Sequence, residues 1–64
     1  MRVKVWKLGE HIATLFTTHD EINVTWETPD ATEKSTVAAF VRIVREIHAG
    51  RTRGRYLNYR WEEA

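Results

Sequence analysis

Apolar and polar positions change period once along this chain, and the change comes at its only proline, Pro29. Before it the period is two. Val3 and Val5 alternate with Lys4, Trp6 and Leu8, which predicts a strand over residues 2–8 because successive side chains leave a strand on opposite faces. Gly9-Glu10 offers a two-residue hairpin turn with glycine first, and residues 11–18 read as the return strand. Pairing across that turn sets Val5 opposite Thr14 and Val3 opposite Phe16 on one face, with Trp6 opposite Ala13 and Lys4 opposite Leu15 on the other. His19, Asp20 and Glu21 form a polar turn into a third strand, Ile22 to Glu27, whose Ile22, Val24 and Trp26 share one side. A three-residue loop aligns Phe16 with Val24 and a four-residue loop aligns Leu15 with it; the bulkier Phe16 is the favoured partner.

After Pro29 the period becomes helical. Thr28 before a proline at the first helical position, or Asp30 with Glu33 in a capping box, starts a helix that runs from about residue 31 to Ala49. Val37, Phe40, Val41, Val44 and Ile47 form its apolar stripe with Ile43 at the margin, and Gly50 is the left-handed stop. Beyond the loop Arg51–Gly54, residues Arg55, Leu57, Tyr59 and Trp61 alternate with Tyr56, Asn58 and Arg60, a fourth strand. The expected architecture is a two-layer α+β domain over residues 1–64, with three N-terminal antiparallel strands, one amphipathic helix and one C-terminal strand (β-β-β-α-β). The helix covers a sheet face built from Val3, Val5, Phe16, Val24, Trp26, Leu57 and Tyr59, and the last strand returns beside the first in the same direction.

A single helix leaves the second sheet face open. In this register that face carries Trp6, Leu8 and Leu15, more apolar surface than a small monomer shows to water, and these residues are the expected protein interface of a homodimer. So short a chain, with no cysteine for a disulfide or a thiolate zinc site, gains from such association.

Charge adds a second candidate surface, which the net value of +1 hides. Residues 1–8 carry Arg2, Lys4 and Lys7 and no acid, whereas residues 9–33 carry Glu10, Asp20, Glu21, Glu27, Asp30 and Glu33 and no Lys or Arg. Bases return in residues 34–61, where only Glu46 opposes them. Guanidinium groups interleaved with aromatic rings suit a polyanion, since arginine forks onto phosphate while rings stack on bases. Arg42, Arg45, Arg51, Arg53, Arg55, Tyr56 and Arg60 are therefore the candidate nucleic-acid-binding residues. The tripeptide Arg53-Gly54-Arg55 is similar to the core of minor-groove hooks, with Tyr56 where the hook has proline.

Catalytic chemistry finds little support. The lone serine, Ser35, sits near the helix start, and Gly9, Gly50 and Gly54 make no phosphate cradle. His11, His19 and His48 with Asp20 and Glu21 lack the spacing of a metal site. The chain reads as a small non-enzymatic binding protein without cofactor or metal. Its leading function is nucleic-acid binding through the Arg/aromatic C-terminal patch. The alternative is a protein-binding inhibitor or regulator, of the kind viruses and mobile elements encode, acting through the open sheet face and the charge blocks. No apolar run reaches membrane-span length and no secretory leader is legible, which predicts a cytoplasmic location, the host-cell cytoplasm for a viral protein.

Overall fold

The computed structural model describes residues 1–18, 20–28 and 34–64, with the side chains of Lys34 and Ser35 excepted. The first helical residue expected at Pro29, the capping box of Asp30 with Glu33 and the turn residue His19 lie outside the described residues. The element order is β1 (Arg2–Lys7), β2 (Glu10–Thr17), β3 (Ile22–Trp26), α1 (Lys34–His48), β4 (Arg53–Tyr56) and β5 (Tyr59–Glu63). This is an α+β fold. All five strands join one antiparallel sheet in the order β3-β2-β1-β5-β4.

The C-terminal segment corrects the expected single strand. Leu57 and Asn58 form a tight turn between β4 and β5, with Leu57 at φ 53°. A positive φ at the first central position alone is the II′ pattern, which glycine usually fills because a Cβ is disfavoured there. Leu57 is therefore a turn tip, 82% exposed, and not a core residue. Because the chain doubles back, β5 lies beside β1 as expected but antiparallel to it.

The first hairpin is corrected too. Its central residues are Leu8 and Gly9, both at positive φ (52° and 82°), the I′ pattern, and Lys7 pairs with Glu10. One further irregularity falls between Val5 and Trp6, where Trp6 faces His11 but Val5 faces Ala13, so Ile12 is an extra residue in β2. The result is Val3 opposite Leu15 and Lys4 opposite Thr14. A one-residue slip exchanges the faces of a strand, which puts Leu15 in the core and Phe16 outside. The four-residue connection to β3 agrees, with Leu15 opposite Val24.

The core lies between one sheet face and α1. Val3, Val5, Ala13, Leu15, Tyr59 and Trp61 meet Ala39, Phe40, Ile43 and Ile47, with Ile12 included. Ile43, expected at the margin, is central, whereas Val37 and Val41 are half exposed. Two contacts account for this rotation. Thr36 is fully buried and its hydroxyl bonds the Tyr59 hydroxyl at 2.9 Å, and the small Ala39 beside it lets the helix approach the sheet closely. The helix consequently packs toward β4, and its valines are left over β3. Gly50, at φ 89°, ends α1 in a Schellman motif, Arg51 N–H donating to Glu46 O and Gly50 N–H to Ile47 O. No helix among the described residues is long and apolar enough to cross a membrane.

Candidate functional site

The sheet face away from α1 is the candidate site, and its composition follows from strand alternation. Val3 and Val5 turn toward the helix, so Arg2, Lys4 and Trp6 of β1 turn away. Their cross-strand partners stand on the same face: Phe16, Thr14 and His11 on β2, then Glu62 and Arg60 on β5. Arg60 and Glu62 in turn face Arg55 and Arg53 of β4. No described element covers this face.

Trp6 sits at its centre. The Arg60 guanidinium lies over the indole with its carbon 4.1 Å from the ring centroid, and the His11 ring stands 5.7 Å away, tilted. Cation–π attraction holds Arg60 over the indole, and Glu62 Oε2 accepts from its Nη1 at 3.5 Å. The His11 orientation is set by its own strand, Nε2 lying 3.0 Å from the Ala13 carbonyl and 3.2 Å from the Thr14 hydroxyl. On the β2 side a hollow of about 340 Å³ is lined by Arg2, Lys4, His11, Thr14, Phe16 and Glu27, among others. On the β4 side a hollow of about 450 Å³ is lined by Arg53, Arg55, Arg60 and Glu62 with Gly54 and Trp61. Guanidinium and ammonium groups thus flank a central ring on both sides.

The structure divides the residues singled out from the sequence. Arg53, Arg55 and Arg60 come together on the open face. Arg42 does not join them, because its guanidinium lies 4.9 Å over the Tyr56 ring on the helix side of β4. Arg45 lines a groove between α1 and β3, and Arg51 lies exposed where α1 ends. Of the expected protein interface, Trp6 is on the open face, Leu8 is at the β1–β2 turn and 77% exposed, and Leu15 is fully buried under α1. Leu15 is thereby removed from any interface, for the register reason given above. The two hairpin turns touch, Leu8 N–H donating to Asn58 O at 3.0 Å.

Gly54 has a packing explanation independent of any groove-binding hook. A Cβ on it would lie 2.8 Å from Trp61 Nε1 and 2.9 Å from Glu46 Oε2, so glycine lets the buried indole and the helix carboxylate rest on the β4 backbone. Arg53 and Arg55 then share a face as ordinary alternate residues of a strand.

Arg2, Lys4, His11 and Phe16 were not among the sequence candidates. The alternation of Arg2, Lys4 and Trp6 against Val3 and Val5 carried the signal for β1; the displaced register hid Phe16. No family model matches the chain, and no curated protein or solved structure is significantly similar to it.

Proposed function

We propose that the protein is a non-catalytic nucleic-acid-binding protein that lays a strand of nucleic acid across its open sheet face. The observation that carries this reading is the interleaving, on one uncovered face, of Arg2, Lys4, Arg53, Arg55 and Arg60 with Trp6, His11 and Phe16. The cations meet phosphates and release their counterions. Phe16, 43% exposed, offers a ring on which an unpaired base stacks, and a flat sheet carrying aromatic residues favours single strands over duplex. Arg60 is already held over Trp6 and against Glu62, so presenting its remaining N–H groups to phosphate costs little further side-chain entropy.

The protein-binding alternative, expected to act through the open sheet face bearing Trp6 and the charge blocks, also has the apolar groove beside β3 to draw on, but it does not require the cations of the open face to meet phosphate. Fluorescence anisotropy with labelled single strands and duplexes separates the two. At about four phosphate contacts and a slope near 0.7 per contact, raising salt from about 50 to about 200 mM weakens single-strand binding roughly 50-fold. A folded sample with no affinity for either form at the lower salt removes this function and leaves the protein-binding one.

A further inference from the structure

On the helix side of the sheet the apolar surface is not closed. Ile22, Val24 and Trp26 of β3 are each more than a third exposed, Val37 and Val41 of α1 are half exposed, and between them runs an apolar groove of about 350 Å³. Trp26 stacks on Phe40 at 5.1 Å along its floor. β3 is also an edge strand. Glu27 N–H donates to Ile12 O and Glu21 O accepts from Thr18 N–H, so the odd-numbered residues of β3 bond back to β2 and Ile22, Val24 and Trp26 point their amides outward. Sheet edges are usually guarded by lysine, proline or a bulge. The opposite edge carries Arg53 and Arg55; β3, with the sequence Ile-Asn-Val-Thr-Trp, carries no such guard.

We infer that a second copy of this chain pairs antiparallel along β3 about a two-fold axis through Thr25, making one ten-stranded sheet. The register follows from charge and side-chain chemistry. An axis through Val24 sets Glu21 against the partner's Glu27, and like charges directly opposite are unfavourable. An axis through Thr25 avoids this. Thr25 then meets its own copy and Asn23 meets Glu27 on the open side, while Val24 meets Trp26 in the groove, each Trp26 covering the other copy's exposed valines. The outward amides of Val24 and Trp26 bond one another. The exposed apolar side chains Ile22, Val24, Trp26, Val37 and Val41 and the edge backbone supply the contact, against a stable interface's roughly 800 Å² per partner. Joining β3 to the other edge, β4, would run on as an open filament, whereas the two-fold pairing closes. With the axis normal to the sheet, both basic faces end on the same side, although the dimer does not depend on what they bind.

The absence of cysteine makes single-cysteine cross-linking a direct test. Residue 25 occupies a non-hydrogen-bonded position, where facing Cα atoms come within about 4.5 Å, inside disulfide range. Thr25→Cys should oxidise to a disulfide dimer at least tenfold faster than Asn23→Cys, which has no cysteine opposite it. Sedimentation of the native chain should show a dimer at about 100 μM, and Val24→Lys should weaken it at least 100-fold with an unchanged circular-dichroism spectrum. A native chain that stays monomeric to about 1 mM overturns the inference and leaves the groove to another protein. Equal oxidation rates for the two cysteine variants overturn it as well, since both are exposed and neither substitution touches the core.

Discussion

The two margins of the sheet are built on opposite plans. At the β4–β5 margin the helix is close: the Trp61 indole rests on Gly54, Tyr59 bonds Thr36, Arg42 lies over Tyr56, and Arg53 and Arg55 guard the edge. At the β3 margin the helix stands off, the groove is open and no described strand pairs with the outer edge. A single helix of this length cannot close both sides of a five-stranded sheet, and small side chains at Thr36, Ala39 and Gly54 decide which side it closes. The lesson is that an amphipathic stripe wider than the space beneath it leaves a surface behind, and that surface is available for association.

Substitutions that read the two margins separately test this difference. Trp61→Ala should cost about 3–5 kcal/mol, since Trp61 is 1% exposed, and so unfold most of a domain of this size. Trp26→Ala, measured in dilute solution, should cost about half as much, because its outer part is already in water. Equal costs in urea denaturation would mean that the β3 margin is as closed as the other. Gly54→Ala comes next, at about 1–3 kcal/mol, from the forced shift of Trp61 or Glu46. Tyr59→Phe removes the partner of a buried hydroxyl and should cost about 1–2 kcal/mol by thermal melting. The smallest effect is favourable. Leu8→Asn creates Asn-Gly in a turn that needs positive φ at both positions and should add about 0.5–1 kcal/mol.

Leu8 and Leu57 also mark the limit of what the sequence makes legible. The helix over its described residues Lys34–His48, its glycine stop and the three N-terminal strands are all written in alternation and turn chemistry. Both departures are leucines at positive-φ turn positions, where the rules call for glycine or asparagine, so the sequence reads Leu8 as a strand residue and Leu57 as a core residue. The extra residue Ile12 was equally hidden, since a bulge leaves no mark in an alternation of apolar residues. These local features decide the register, and the register decides that Phe16 rather than Leu15 joins the open face. For the candidate site, Arg53, Arg55 and Arg60 are legible from composition and spacing, whereas Trp6 reads from the sequence as part of a protein interface. Arg42 and Arg45 were grouped with them because they are near in sequence, but the sheet lies between the two sets.

That separation supplies the sharpest test of the functional account. Salt titrations of single-strand binding should be compared for the native chain, the Arg53→Gln, Arg55→Gln, Arg60→Gln triple variant and the Arg42→Gln, Arg45→Gln double variant. The triple variant should lose about 2 from the magnitude of the log–log slope and most of its affinity at low salt, while the double variant keeps the native slope to within about half a unit. A double variant that loses as much as the triple, or a triple variant that binds like the native chain, would contradict the assignment of binding to the open sheet face.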